Sequence, residues 1–370
     1  MSPRQFYAFR LHVRELRDDD GEPILDGQGR PLLDNALNRA GRLFQEYCCM
    51  ALAKEEAQRL RWHRLNQKTI RAELFKSLSD AVSAHNSSSG ERLAAGKRVV
   101  LASSFTGGPR DQWGRYQDAM AIVRKIGKPS FFITMTCNPR WVEIQRELPP
   151  GVSAQDRPDL TARVFRLKLA QLLHELYTDG IFGCIIARLH VIEFQHRGLP
   201  HAHIVIIVAE EDRPKTVDDI DVCVCAELPP KPLRASYPPG ADGDVQYQEA
   251  HNEYINLSEL LCELMIHGPC GRENPKAPCM EDGACKKGFP KDYARETTYS
   301  DQQIYPNYRR RHPNDGGPTY VYKGRTITSA WVVPYSPRLL KKYKCHLNVE
   351  ICFSVGGVKY LYKCATSSRT

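Results

Sequence analysis

The sequence lacks any apolar run long enough to cross a membrane. Its most apolar stretches, 181–192 and 204–209, are interrupted by Arg188 and His190 or are too short. Residues 1–20 are charged and contain no apolar core of a secretion signal, so secretion is not indicated. The 13 cysteines are therefore expected to be thiols or metal ligands rather than a disulfide framework. We expect an intracellular protein, nuclear or otherwise, with no membrane partner.

Extremes of composition are absent as well. A charged fraction of 26% argues against global disorder and against a coiled coil. The 370 residues, of which 42% are hydrophobic, suffice for one large domain or for two to three smaller ones. The formal net charge of +9 is a mild indication of a polyanionic partner.

The first third of the chain has the pattern of helices. Apolar residues recur at helical spacing from Leu43 to Leu60, and 45–80 contains neither glycine nor proline. Four basic residues then share one side of a helix: Arg61, Arg64, Lys68 and Arg71. Such a side fits a phosphate-binding surface and, equally, a solvated helix face. We predict a helix-rich DNA-binding region over 1–125.

The remaining chain, 126–370, is predicted to combine strands with helices. Strands are indicated at 131–137, 183–195, 201–209 and 345–353, the middle two forming a hairpin. Helices are indicated at 160–177, 255–266 and 358–364. The segment at about 210–292 is acidic, then rich in proline, then rich in cysteine, which is the composition of an insertion.

The sharpest local feature is the pair His201 and His203. Residues two apart on a strand point to the same face, so both imidazoles project together as candidate metal ligands. Across the hairpin, Glu193 and Gln195 share one face and can supply a third, oxygen ligand. The same pattern also suits an iron oxygenase triad, and a His-x-His pair alone is often two ordinary strand histidines.

The second feature is an aromatic turn near the end of the chain. On a helix, Tyr360, Lys363 and Cys364 share one side. A tyrosine phenol can attack a phosphodiester when a metal polarises the phosphate, and Lys363 can stabilise the phenolate or bind the phosphate. The alternative is an aromatic helix turn packed on the core.

A third feature is a group of cysteines and one histidine in a loop-rich segment. Its members are Cys262, His267, Cys270, Cys279 and Cys285. These residue types suit a small structural zinc site, although the spacing matches no standard zinc finger. Free, partly buried thiols are the alternative.

These pieces, in this order, resemble the rolling-circle replication initiator region (Rep, or HUH endonuclease) of Helitron transposases. The match covers nearly the whole chain and is most specific in the hairpin Glu193–His203, which contains Gly-Leu-Pro-His-Ala-His. The other matching segments are Ala40–Phe44, Tyr116–Met120, Phe131–Pro139, His267–Gly271, Pro278–Met280, Trp331–Tyr335, His346–Glu350 and Lys359–Lys363.

The resemblance implies an α+β fold with an antiparallel sheet flanked by helices, a helical lead-in and a Cys-rich insertion. It implies a metal-dependent enzyme that nicks and joins single-stranded DNA at transposon ends. His201 and His203 would hold Mg²⁺ or Mn²⁺, with Glu193 as third ligand and Gln195 as its alternate. Residues 126–370 would form the nuclease-like domain.

The resemblance also assigns Tyr360 as the nucleophile and Lys363 as its helper. Two departures bear on activity. Relatives carry a second tyrosine four residues after the first, where this chain has Cys364. They also continue into a helicase domain, whereas this sequence contains no Walker-type segment, so we expect unwinding to be supplied from outside it. The alternative to an active nuclease is therefore a catalytically decayed remnant that binds single-stranded DNA.

Overall fold

A computed structural model of the chain describes residues 1–72, 99–194, 199–300, 303–354 and 356. Within these residues the helices are α1 (Pro3–Leu11), α2 (Arg42–Leu65), α3 (Gln67–Ala72), α4 (Pro109–Ile126), α5 (Val142–Gln145), α6 (Pro158–Tyr177), α7 (Val217–Cys223), α8 (Ala241–Leu264) and α9 (Pro337–Tyr343). The strands are β1 (Arg14–Glu15), β2 (Leu33–Asp34), β3 (Phe131–Thr136), β4 (Ile185–Phe194), β5 (Pro200–Val208), β6 (Met280–Glu281), β7 (Ala284–Cys285), β8 (Thr319–Tyr322), β9 (Arg325–Thr328) and β10 (Leu347–Ile351). Short 3₁₀ helices lie at Ala36–Arg39, Ala154–Asp156, Glu210–Asp212, Arg234–Ser236, Pro313–Asp315 and Ser329–Trp331.

The chain divides into two compact units, one of Met1–Asp118 with Leu148–Pro158 and the other of Ala119–Glu147 with Asp159–Thr370. In the described part of the chain no helix is both long enough and apolar enough to span a membrane. The mixed α+β class, with antiparallel strand pairing, is as predicted.

The first unit is built around the 24-residue helix α2. This helix ends at Asn66, whose backbone N–H and side-chain amide both donate to the carbonyl oxygen of Trp62, at 3.0 and 2.8 Å. Three of the four basic residues of the predicted stripe, Arg61, Arg64 and Lys68, are exposed, and the side chain of Arg71 lies outside the described residues. A DNA-binding role for this region stays a prediction.

The second unit contains a four-stranded sheet in the order β10–β3–β5–β4, and every neighbouring pair is antiparallel. The predicted hairpin is confirmed as β4 and β5. Strand β5 has neighbours on both sides, and all nine of its residues are buried, as expected for the β-branched run from Ile204 to Val208. Strand β4 lies at the edge, and its residues alternate between half-buried and exposed.

One face of this sheet is apolar at one end and polar at the other. Helix α4 packs Ala119 and Val123 onto Phe132, Val205 and Ile207 at the apolar end. Further along the same face the strands present polar side chains, because directly paired residues of an antiparallel sheet share a face. The helix thus leaves the polar end free to carry a site.

The predicted insertion contains more helix than its composition indicates. Helix α8 begins at Ala241 rather than near Ile255, following Gly240 with a φ of +100°. Its first turns have no apolar stripe, and this is why sequence periodicity misses them. Aromatic contacts order this part of the helix instead: the rings of Tyr247 and His251 lie 5.7 Å apart and stack.

The insertion is also part of a second hydrophobic core. Buried residues of α8 pack with residues near the following strands: Leu257, Leu261, Cys262, Met265, Ile327, Val332, Tyr335 and Leu340. The carbonyl oxygen of Met265 accepts a hydrogen bond from Val333 at 2.8 Å, and the backbone N–H of Leu347 points to the Met265 sulfur at 3.3 Å. The inserted segment is therefore packed against strand β10 and the chain leading to it.

Candidate metal centres

The predicted ligands Glu193, His201 and His203 converge at the polar end of the sheet. Glu193 on β4 pairs directly with His201 on β5, and His203 lies two residues further on the same face. Glu193 Oε2 is 3.3 Å from His201 Nε2 and 3.8 Å from His203 Nε2, and the two Nε2 atoms are 3.1 Å apart. The three side chains are between 8% and 11% exposed.

This geometry fits a divalent cation. Ligands about 2.1 Å from an octahedral ion lie about 3 Å from each other along an edge, close to the separations of these atoms. Two of the buried polar atoms, Glu193 Oε1 and His201 Nδ1, have no hydrogen-bond partner among the described residues. Two imidazoles and one carboxylate leave coordination positions open for a substrate oxygen and water.

Burial keeps both imidazoles neutral. It is the main cause that lowers the pKa of His203 to about 4, with smaller contributions from His201 and Lys287. Burial also lowers the pKa of His201, and His346 adds to this effect. Neutral imidazoles keep a nitrogen lone pair for a metal at neutral pH. Burial raises the pKa of Glu193, a direction that a bound cation would oppose.

Thr134 orients one of the ligands. It pairs with His203 across β3 and β5, and its Oγ1 lies 3.0 Å from His203 Nδ1. When Nε2 faces the ion, Nδ1 carries the proton and donates it to the threonine oxygen, which fixes the ring. The sequence alone gives no signal for this residue, because only the pairing register places it opposite His203.

The structure brings together four members of the Cys-rich group. The ligand atoms of His267, Cys270, Cys279 and Cys285 all lie within 4.8 Å of one another, and Cys285 Sγ is 3.3 Å from His267 Nε2. Cys262 is not among them: it lies on α8 in the second hydrophobic core. The described part of the chain thus contains two groups with the composition of metal sites.

The thiols of this second group have different environments. Burial raises the pKa of Cys270 to about 12. Burial acts in the same direction on Cys285, but backbone hydrogen bonds from Phe289 and Lys287 outweigh it and lower the pKa of that thiol. The Cys285 thiol is therefore expected to deprotonate more readily than the Cys270 thiol before a metal binds.

A cleft of about 550 Å³ adjoins both centres. It is lined by residues that include His203, His267, Lys287, Lys291, Arg310 and Glu350. Arg310 Nη1 is engaged below the surface by the carbonyl oxygens of Ala226, Ser329 and Val332, at 3.1, 2.7 and 2.6 Å. Burial raises the pKa of Glu350 to about 7. No motif of the sequence predicts a role for the last four of these lining residues, although Lys287 follows closely after Cys285 and is a visible signal.

Three predicted site residues lie outside the described residues: Gln195, Tyr360 and Lys363. The roles assigned to them stay predictions.

The α+β unit thus presents two histidines and a carboxylate on the hairpin of β4 and β5 as a group that could hold a metal ion. The family model for the Helitron helicase-like domain at the N-terminus matches residues 25–206, a segment that includes Glu193, His201 and His203. Residues 25–206 thus form a Helitron helicase-like domain, which indicates a relation to Helitron transposases and helicases and an interaction with nucleic acid. No curated protein matches the chain.

Proposed function

We propose that the chain nicks and joins single-stranded DNA with a tyrosine nucleophile, as an HUH (Rep-type) endonuclease of rolling-circle transposition. The observation that carries the proposal is the convergence of Glu193 Oε2, His201 Nε2 and His203 Nε2 in a Helitron-related domain. Hard oxygen and borderline nitrogen ligands with open positions suit Mg²⁺ or Mn²⁺.

The bound ion would polarise the scissile phosphate. Glu193, His201 and His203 would hold this ion, and Thr134 would fix the His203 ring through the contact between Oγ1 and Nδ1. Tyr360 gives up its phenol proton to solvent water and attacks the phosphorus through its phenolate, while the bond to the 3′ oxygen breaks and that oxygen takes up a proton from solvent. The products are a 5′-phosphotyrosine and a 3′-hydroxyl, and attack by a 3′-hydroxyl on the phosphotyrosine rejoins the strand. Lys363 stabilises the phenolate.

The test uses a fluorescent single-stranded oligonucleotide with Mn²⁺ or Mg²⁺, followed by denaturing electrophoresis. We expect a covalent protein–DNA adduct that Tyr360→Phe abolishes. Tyr362→Phe, which removes the same hydroxyl two residues away, is the matched control and should leave the adduct. Adduct formation that survives Tyr360→Phe would remove this residue from the role. Binding of DNA without adduct, over a panel of sequences, would favour the catalytically decayed alternative.

For the second centre we propose structural zinc. Three thiols and one imidazole, brought together from a loop-rich segment, form a ligand set that zinc prefers. The site lies next to the short pair β6 and β7, where Lys286 N–H donates to the Cys279 carbonyl at 2.8 Å. Metal analysis of the purified chain should find one tightly bound zinc, and a zinc-free folded chain would contradict the assignment.

A further inference from the structure

The segment from Cys285 to Lys291 connects the Cys-rich centre to the cleft. Cys285 is a member of the candidate zinc group, and every second residue after it, Lys287, Phe289 and Lys291, lines the cleft that also contains His203. The intervening Lys286 does not line the cleft, since its Nζ pairs with Glu281 Oε1 at 2.9 Å. Two neighbouring lysines thus face different surroundings.

Contacts with the Cys-rich centre hold this segment in place. The Phe289 ring stacks on His267, with 4.3 Å between ring centroids and 18° between planes. The Cys270 thiol faces the Phe289 carbonyl oxygen at 4.0 Å, and the Gly288 N–H donates to the Cys285 carbonyl oxygen at 2.8 Å. The position of the lining residues therefore depends on the side chains of His267 and Cys270, two members of the candidate zinc group.

The two lining lysines form one cationic surface. Lys291 Nζ donates to the Lys287 carbonyl oxygen at 2.8 Å, and it lies 5.1 Å from the Phe289 ring centroid. The Lys287 ammonium is close enough to His203 to lower the pKa of that imidazole further, beyond the larger effect of burial. The cationic surface and the predicted catalytic ion therefore belong to the same cleft.

The other charged side chains that line the cleft, Arg310 and Glu350, are less suited to binding a phosphate group. The Arg310 guanidinium already donates to three backbone carbonyl oxygens. Burial gives Glu350 a pKa of about 7, so below that pH its carboxyl is mostly uncharged. Among the described residues that line the cleft, the Lys287 ammonium and the Lys291 ammonium, which donates to a single carbonyl oxygen, are thus the cations best placed to meet an anion.

We propose that Lys287 and Lys291 form a phosphate-binding wall that holds a DNA single strand next to the nicking centre, and that zinc in the Cys-rich centre anchors this wall. The identity of the strand rests on the proposed function. Lysine binds phosphate as a compact point charge, and single strands follow cationic grooves through their backbone. The wall contacts the backbone and carries no sequence preference of its own.

The test is single-strand binding without Mg²⁺ or Mn²⁺, so that it does not depend on nicking. A fluorescein-labelled oligothymidine is titrated with the zinc-loaded chain and followed by fluorescence anisotropy at several salt concentrations. We expect Lys287→Ala and Lys291→Ala each to weaken binding several-fold and to lower the slope of log affinity against log salt by about 0.7, as for one lost phosphate contact. Lys286→Ala is the matched control and should bind as the wild type does.

A chelator arm tests the anchoring. Removal of zinc with phenanthroline should weaken binding by the wild type and have little further effect on the Lys287→Ala, Lys291→Ala double variant, since the wall is already lost. An equal loss in both proteins would overturn the anchoring, because zinc would then act through something other than these lysines. Circular dichroism of each variant checks that it is folded.

The outcomes separate this proposal from the nicking proposal. Equal binding by Lys286→Ala, Lys287→Ala and Lys291→Ala would overturn the wall even if the adduct forms. A lysine-dependent affinity with no adduct under any condition would sustain the wall and refute nicking. Tighter lysine-dependent binding of an RNA strand than of DNA would refute the identity of the strand.

Discussion

Replacement of Glu350 by glutamine should change how the stability of the protein depends on pH. Glu350 lies on β10, opposite Phe132 of β3, at the floor of the cleft. Its Oε1 accepts a weak hydrogen bond from Asn348 at 3.3 Å, and its Oε2 has no hydrogen-bond partner among the described residues. Burial is the dominant influence and raises the pKa to about 7, against the opposing effects of Tyr308, Asn348, Arg310 and Lys291.

The magnitude follows from linkage between protonation and folding. The unfolded chain ionises this carboxyl from a pKa of 4.5, whereas the folded chain ionises it at about 7. The stabilising effect of the proton is thus complete below pH 4.5 and is lost as pH rises through about 7. A difference of this size corresponds to about 3 kcal/mol of unfolding free energy. Glutamine cannot ionise, so Glu350→Gln should lack this loss.

The assay is urea unfolding of both proteins at pH values from 4.5 to 8. We expect the unfolding free energy of Glu350→Gln, relative to wild type, to rise with pH and to level off above pH 7. Glu249→Gln, the same substitution at an exposed position of α8, should run parallel to the wild type. If the unfolding free energy of Glu350→Gln has the same pH dependence as that of the wild type, burial does not hold the Glu350 carboxyl neutral.

Three further predictions concern the two centres and the core. Thr134→Val should lower the Mn²⁺ affinity about 10- to 100-fold by calorimetry, because His203 loses its orienting partner, and Thr134→Ser should retain most of it; equal affinities would refute the role. Cys270→Ser should lose zinc by metal analysis while Cys262→Ser keeps it, and the reverse result would place the ion elsewhere. Arg310→Met should lower the unfolding free energy by about 3 kcal/mol or more, since buried carbonyl oxygens lose their donor, and a loss under about 1 kcal/mol would show that they find other partners.

The convergence of the three proposed metal ligands on the hairpin could be predicted from the sequence because the information is local. The spacing of His201 and His203 places both on one face of any strand. A short connection then brings Glu193 opposite His201, as the observed register has it. Both inferences need only the period of a strand and the length of a loop.

Thr134 and Glu350 could not be predicted in the same way. They reach the site through pairing of β3 with β5 and of β10 with β3, strands far apart in the chain. Nothing in the sequence determines that Thr134 pairs with His203. Long-range register is a property of the folded sheet, and a shift by one residue would turn either side chain to the opposite face.

The place of Cys262 shows a different limit. Its nearness in sequence to His267 suggests a common site, but α8 directs Cys262 into the core with Leu257 and Leu261. A small apolar thiol serves as well in a core as in a metal site, so composition alone does not separate the two. The direction of helix α8 determines that the Cys262 side chain lies in the core.

Strand β5 is hydrogen-bonded on both sides over the residues that hold the proposed ion. Its amide hydrogens should exchange with solvent only when the whole unit opens, because they lie in the interior of the sheet. Strand β5 is buried along its whole length and packs in an apolar cluster, so replacement of a proposed ligand side chain should leave the backbone that carries it ordered. A copy of this domain without the proposed activity should therefore match an active copy in purification yield, amide hydrogen exchange and melting temperature. The yield of folded protein would then not distinguish the two.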